Sequence, residues 1–132
     1  MRKLFILSLL IFAAAISVLG QNPTQPQNPG EPPNKGMAPK APNGVGIADV
    51  RIFDESGNPI KNAAVKLESK RTDGYFCYTD WFPTDEQGVV VLPAMHMGQL
   101  KLKVKAKGYR SQKLHLMTKL LAEPVRVSLK KS

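Results

Sequence analysis

An unbroken alternation of apolar and basic residues, LKLKVKAK, runs from residue 100 to residue 107, and Gly108 ends it. Successive side chains of a β-strand point to opposite faces of its sheet, so the alternation predicts a strand with one apolar face and one basic face. The face expected to be buried holds Leu100, Leu102, Val104 and Ala106. The face expected to be exposed holds Lys101, Lys103, Lys105 and Lys107.

The rest of residues 45–132 has the same character. Short apolar or alternating runs are separated by clusters of turn-forming residues such as DESGNP and PTDEQG. About seven short strands with a turn every 8 to 12 residues are typical of an antiparallel β-sandwich. We therefore predict an all-β, seven-stranded antiparallel sandwich, with helical spacing only weakly present near residues 117–122. The predicted core consists of Val50, Ile52, Val65, Leu67, Val90, Leu92, Leu102, Val104, Leu114, Leu116, Val125 and Val127.

The N-terminal sequence has the features of a secretory signal peptide. Arg2 and Lys3 precede an apolar run over residues 4–18, and Gly20 supplies the small residue before cleavage. An uncleaved membrane anchor is the alternative, but the run is shorter than the roughly 20 residues that a spanning helix needs. We predict a signal peptide over 1–20 and a secreted, periplasmic or cell-surface protein without a membrane span after cleavage.

Residues 21–44 form a segment of different composition. Seven of these 24 residues are Pro, and none is aromatic or a branched aliphatic residue. Such a segment lacks the apolar surface that would offset the entropy lost on ordering, so we predict a disordered, partly extended linker. The domain boundaries expected from the sequence are therefore 1–20, 21–44 and 45–132.

Positive charge is concentrated near the C-terminus. Residues 99–132 contain ten basic residues and one acidic residue, Glu123, whereas the whole chain carries a net charge of +9. For an exported protein, this pattern favours an anionic glycan, a lipid headgroup or another exported protein as partner and does not favour nucleic acid.

Three motifs, DESGNPIKNAAVKL, PTDEQGVVVLP and MGQLKLKVKAKGY, follow one another at a distinctive spacing. Together they resemble the carboxypeptidase regulatory-like domain of secreted bacterial proteins. That family has a transthyretin-like, carbohydrate-binding-like sandwich related to Ig-like folds, and the resemblance covers residues 45–129. It implies this fold and an accessory role rather than a reaction. The matching residues are Asp54, Gly57, Pro59, Ala63 or Ala64, Val65, Thr84, Asp85, Gly88, Gly98, Gly108 and Tyr109.

Turn chemistry explains the matching positions. Gly57 and Gly88 stand where a turn requires positive φ, and Pro59 presets φ before the next strand. Asp54 and Asp85 are expected to accept hydrogen bonds from turn amides. Tyr109 is expected to pack its ring against the core. Gly98 and Gly108 are likewise expected to have a structural role in turns and not a role in a reaction.

The chain departs from the family pattern at two places. Val50 stands where the first strand usually has Gly. The segment between Ser69 and Thr84 is longer and more aromatic than the family requires. This segment is where a property specific to this protein is expected.

No catalytic spacing stands out in the sequence. The two histidines, His96 and His115, do not form a recognisable triad or dyad with Ser or Cys. We therefore predict no enzyme, no cofactor and no metal. Two alternatives stay open: a metal-handling protein or small enzyme that uses His96 and Cys77, and a purely structural spacer. Cys77 is the single cysteine, and its thiol is either buried or available for an intermolecular disulfide.

The aromatic run YFCYTDWF, residues 75–82, allows two interpretations. In a regular strand, Tyr78 and Asp80 share one face; with Trp81 they make a candidate surface for a sugar ring. Alternatively, Trp81 and Phe82 close one end of the core.

The lysines at 101, 103, 105 and 107 likewise have two interpretations. They either keep an edge strand from associating with other strands, or they attract an acidic polymer.

Overall fold

The computed structural model describes residues 30–132, and the chain divides into two units, residues 1–33 and residues 34–132. The predicted signal peptide, 1–20, and the first part of the predicted linker lie outside the described residues. Between residues 30 and 132, no helix is long and apolar enough to cross a membrane.

Ten strands form the described part of the chain, together with one short 3₁₀ helix at Thr118–Ala122. The all-β class is confirmed, whereas the predicted number of seven strands is too low because several two-residue strands separate from longer ones. In chain order the strands are β1 Val45–Gly46, β2 Asp49–Asp54, β3 Ala64–Lys70, β4 Phe76–Tyr78, β5 Phe82–Pro83, β6 Val89–Val91, β7 Met95–His96, β8 Gln99–Lys105, β9 Gln112–Leu116 and β10 Val125–Leu129.

Two main sheets make the sandwich. The larger has the order β4-β3-β8-β9, with β5 also paired to β3, and the smaller has the order β10-β2-β6. Strands β1 and β7 form a separate two-stranded ladder. Pairing is antiparallel throughout the described residues except between β2 and β10, which run parallel.

The core lies between the inner faces of the two main sheets. Val50 and Ile52 of β2 are fully buried, as are Val65 and Leu67 of β3, and all four belong to one hydrophobic cluster. The alternation of β8 is confirmed, since its apolar residues are buried and Ala106, just beyond its end, packs against the same cluster. The predicted core residues that are only partly buried are Leu114, Leu116 and Val125.

Residues 34–44 lie in the same unit as the strands, residues 34–132, although their composition predicts a linker that ends at residue 44. The Asn34 side-chain amide donates to the carbonyl of Ala122 at 2.8 Å, and the Lys35 amide donates to the Asp49 carboxylate at 3.0 Å. Met37 and Ile47 exchange two backbone hydrogen bonds of 2.8 Å. Composition correctly indicates that this segment cannot form a core, but separate hydrogen bonds to the sandwich still order it.

The turns after β2 and before β6 have the same hydrogen-bond pattern. Oδ1 of Asp54 accepts the amides of Ser56 and Asn58, and Oδ1 of Asp85 accepts the amides of Gln87 and Val89. The third residue after each Asp is a glycine with positive φ, 88° at Gly57 and 76° at Gly88. These carboxylates therefore organise turns.

The other residues of the motif also have structural surroundings. Pro59 forms an isolated bridge with Phe53, and a Cβ at Gly98 would collide with the Lys70 carbonyl. Gly108 has φ +84°, and Tyr109, half-buried beside it, packs against the core.

Candidate ligand-binding face

An irregularity in the segment from β4 to β5 brings Tyr78 and Trp81 to the same side of the sheet. Tyr78 pairs with Glu68 and Phe82 pairs with Val65, so three residues of this segment oppose two of β3. The hydroxyl of buried Thr79 accepts the Leu67 amide at 3.0 Å and donates to the Asp80 carbonyl at 2.8 Å. Such a bulge shifts the alternation by one residue.

The shift decides which aromatic rings reach solvent. Phe82 turns inward beside Val65 and packs against the core, whereas Trp81 is 40% exposed and Tyr78 is 61% exposed. The ring that closes this part of the core is therefore that of Phe82 and not that of Trp81. Asp80, the third member of the predicted sugar-binding set, is exposed within the bulge itself.

Strands β3, β4, β8 and β9 together present one solvent-facing surface, which we call the outer face. Cross-strand pairing places Lys66 opposite Lys103, and Lys101 between Glu68 and His115. Trp81 contacts the lysines at one end of this surface. The residues of the outer face are Lys66, Glu68, Lys70, Phe76, Tyr78, Trp81, Gln99, Lys101, Lys103, Lys105, Lys113 and His115.

Two lysines of this face lie against aromatic rings. The ammonium nitrogen of Lys66 is 4.9 Å from the centroid of the Tyr78 ring and 5.9 Å from that of the Trp81 ring. The ammonium nitrogen of Lys105 lies 4.2 Å from the Trp81 centroid. These distances are those of cation–π interactions, which hold long flexible side chains in place at the surface.

The four lysines of the opening alternation have different surroundings. Lys103 forms an ion pair of 2.9 Å with Glu68, and Lys105 lies on Trp81. Lys101 lines a shallow pocket, and Lys107 lies beyond the end of β8 in an exposed turn. The lysines are therefore not one equivalent row.

Strand β8 lies inside its sheet. It pairs with β3 on one side and with β9 on the other, over most of its length. The interpretation of its lysines as protection of an exposed strand edge is therefore wrong, since both edges of β8 are hydrogen-bonded.

The ion pair with Lys103 lowers the pKa of Glu68 below its ordinary value, chiefly through the hydrogen bond from the ammonium group. The nearby charges of Lys66 and Lys101 act in the same direction. Glu68 is therefore an anion at neutral pH, and it offsets one of the positive charges on the outer face.

The residues of the metal-handling alternative are on separate strands of different sheets. His96 lies on β7, and its Nδ1 is 2.9 Å from the Asn43 carbonyl oxygen. Cys77 lies on β4, half-buried on the side opposite Tyr78. Within residues 30–132, no three His, Cys, Asp or Glu side chains are grouped as potential metal ligands.

Sequence reasoning missed two features. Lys66, the centre of the aromatic contacts, follows a valine in an ordinary alternating strand, and only the bulge shows its role. The other feature is the buried pair of Asp49 and Arg51, whose side chains are 3.1 Å apart on β2. Their spacing of two residues places them on one face, which was a signal available in the sequence.

Comparison with known proteins gives a fold and no family. No family model and no curated protein matches the sequence. Among solved structures, 3-chlorocatechol 1,2-dioxygenase from Rhodococcus opacus 1CP matches with a TM-score of 0.50 and 13% sequence identity. The match covers 90% of this chain and 78% of the dioxygenase chain. This similarity supports the β-sandwich and, at such low identity, the fold alone.

The same match corrects the prediction that the chain is not an enzyme. That prediction relied on the lack of a recognisable catalytic spacing and on the accessory role that the resemblance implies, whereas the matching structure is an enzyme. The fold therefore gives no ground for excluding catalysis.

Proposed function

We propose that this protein is a binding module that holds an acidic glycan on its outer face. The observation that carries the proposal is the position of the Lys66 ammonium group between the exposed rings of Tyr78 and Trp81, with Lys105 on the same indole. Exposed aromatic residues beside fixed positive charges combine the two chemistries that an acidic sugar needs.

The aromatic contacts favour binding because they reduce the conformational freedom of the lysines before a ligand arrives. A free lysine side chain loses rotamer entropy when it is immobilised, and that loss weakens binding. The rings of Phe76 and Tyr78 are both exposed, with centroids 5.8 Å apart, and they offer apolar surface for the C–H faces of a sugar. The ammonium groups are then available for its acidic groups.

Charge on the outer face supports an anionic rather than a neutral polymer. Six lysines share this surface with the single carboxylate of Glu68, which Lys103 already neutralises. Surface attraction of this kind is screened by salt, with a Debye length of about 10 Å at 0.1 M. Binding should therefore weaken as ionic strength rises.

We further propose that the protein is exported and that its domain is of the carboxypeptidase regulatory-like type. The basic, apolar and small-residue order of residues 1–20 supports export, and the motif spacing over 45–129 supports the domain type. Determination of the N-terminus of the protein recovered from its native cell tests the first point. A mature chain that starts at Gln21 supports export, and an intact Met1 contradicts cleavage.

Retention on a heparin-like resin at about 50 mM salt tests the proposed binding, because screening is weak there. The protein should be retained, and K105Q should elute earlier than K130Q, which removes the same charge beyond the end of β10. Equal elution of the two variants would contradict a localised site. Failure to bind the resin together with binding to anionic vesicles would identify a lipid headgroup as the ligand, and failure with both would overturn the glycan proposal.

A further inference from the structure

The end of the outer face opposite Trp81 contains a shallow pocket of about 190 Å³, away from the contacts of Lys66 and Lys105 with the Trp81 ring. Strands β3, β4, β8 and β9 all contribute to its wall. Its lining residues are Glu68, Lys70, Phe76, Gln99, Leu100, Lys101 and His115. We infer that this pocket is a subsite for a single oxyanion of the ligand, the carboxylate or sulfate group of an acidic sugar. This inference rests on the proposed function and specifies its ligand.

The hydrogen-bond donors around the pocket come from three strands, β3, β8 and β9. Lys70 stands opposite Gln99 across β3 and β8, and Lys101 stands opposite His115 across β8 and β9. Paired residues in an antiparallel sheet have Cβ atoms about 5 Å apart, so these four side chains surround one small volume. Two ammonium groups, a side-chain amide and an imidazole are all able to donate hydrogen bonds to an oxyanion.

The carboxylate in the pocket wall does not prevent anion binding. The Glu68 carboxylate forms a 2.9 Å ion pair with the ammonium group of Lys103, and this positive charge offsets the negative charge of the carboxylate. No ion pair of Lys70 or Lys101 is found among residues 30–132. The charge of Lys101 acts on the pKa of Glu68, but the ion pair of Glu68 is with Lys103, so the ammonium groups of Lys70 and Lys101 can donate hydrogen bonds to a ligand.

The apolar part of the wall indicates what carries the oxyanion. Phe76 is 54% exposed and stands beside Lys70, and its ring is next to that of Tyr78. A free inorganic ion gains nothing from such a ring, whereas a sugar ring packs its C–H face against it. A charged monosaccharide unit uses both parts of the pocket.

The test is titration of the protein with sodium glucuronate, glucose 6-sulfate, inorganic sulfate and glucose, observed through the His115 imidazole signals by NMR. Glucuronate or glucose 6-sulfate should shift these signals. The ratio of the dissociation constants of the two sugars shows whether a planar or a tetrahedral anion is preferred. K101Q should weaken this binding about five- to tenfold, the usual effect of losing a charge-assisted hydrogen bond at an accessible site. K130Q, with the same loss of charge on another part of the chain, should leave it unchanged.

The same titration separates this inference from the proposed function. If the His115 signals do not respond to any charged sugar while the protein still binds the heparin-like resin, the proposed subsite is wrong and the proposed binding of an acidic glycan stands. If charged sugars bind at His115 but the resin does not retain the protein, the proposed binding of an acidic glycan is wrong and the proposed subsite stands. Inorganic sulfate that binds as tightly as glucose 6-sulfate would overturn the role of Phe76 and leave a site for a free anion. A glucose response as large as that of glucuronate would overturn the charge selectivity.

Discussion

The ammonium nitrogen of Lys105 lies 4.2 Å from the centroid of the Trp81 ring, although the two residues are far apart in sequence. Lys105 is the last residue of β8, and Trp81 is the last residue of the bulge between β4 and β5. The contact exists because the bulge turns the indole to the outer face, which is also the face to which Lys105 points. A local change in backbone pairing thus creates the candidate site.

Replacement of Trp81 separates binding from stability. W81A should reduce the free energy of unfolding by about 1 kcal/mol, well below the roughly 3–5 kcal/mol expected for deleting a fully buried aromatic ring. Its retention on a heparin-like resin should fall, because Lys66 and Lys105 lose the ring that holds them. Urea denaturation and salt elution measure the two effects.

F82A is the matched control for this prediction. Phe82 is the next residue, and it packs against the core from the inner side of the sheet. Its loss should destabilise the protein more than the loss of Trp81 does, with little change in resin binding under folding conditions. A larger loss of stability in W81A would show that the indole supports the core after all.

Removal of positive charge from β8 and from the turn that follows it tests the conclusion that the lysines do not protect an edge. A variant with glutamine at 101, 103, 105 and 107 should have the same oligomeric state as the unmodified protein, since both edges of β8 are paired. Light scattering after size exclusion measures this. The variant K113Q on the edge strand β9 provides a comparison, and association of the β8 variant alone would contradict the interior position of this strand.

The side-chain faces of single strands could be predicted from the sequence, whereas the pairing between strands could not. Alternation places Leu102 and Val104 in the core, because a strand has a fixed period of two. The order of strands depends on contacts between distant segments, so the interior position of β8 is absent from its own sequence. Misassignment of its lysines to an edge followed from that missing information.

The bulge at Thr79 explains the main limit on predicting the candidate site. A regular strand over YFCYTDWF places Tyr78, Asp80 and Phe82 on one face. The threonine hydroxyl instead accepts a backbone hydrogen bond from Leu67, and the alternation shifts. A serine or threonine in a strand is common, and nothing adjacent to Thr79 in sequence marks this one as the point of the shift.

Two glycines with positive φ differ in their surroundings and provide a matched pair. A Cβ at Gly88 would lie 2.5 Å from the Ile52 carbonyl oxygen, whereas a Cβ at Gly57 would have no atom within 4 Å. Both substitutions to alanine strain the backbone, by about 1 kcal/mol each. G88A should therefore destabilise the protein clearly more than G57A in urea denaturation. Equal effects would show that strand β2 moves to accommodate the added methyl group.

Stability should decrease in acid through two carboxylates. Amide hydrogen bonds, first from Asn58, lower the pKa of Asp54 from its ordinary value of 3.8, and the Lys103 ammonium group lowers the pKa of Glu68 from 4.5. A carboxylate whose pKa is lowered by folding stabilises the protein above its unfolded pKa, and the contribution disappears as pH falls through the folded pKa. The free energy of unfolding should thus begin to fall near pH 4.5 and continue below pH 3.8. In D54N and E68Q the decrease should be shallower, and an unchanged pH profile in both variants would contradict these assignments.

The buried ion pair on β2 gives the last prediction. Asp49 is fully buried and Arg51 is 2% exposed; the carboxylate contacts the guanidinium through both oxygens and also accepts the Lys35 amide. D49A leaves a buried cation without this carboxylate and removes the acceptor of the segment that starts at Asn34, so unfolding should become easier by about 3 kcal/mol or more. D49N keeps the shape and one acceptor oxygen, and its effect should be smaller. Proteolysis near residues 35–44 should also become faster in D49A than in D49N, because the segment loses the contact that holds it to β2. Equal stability and equal proteolysis of the two variants would show that shape, rather than charge and hydrogen bonding at Asp49, holds the segment in place.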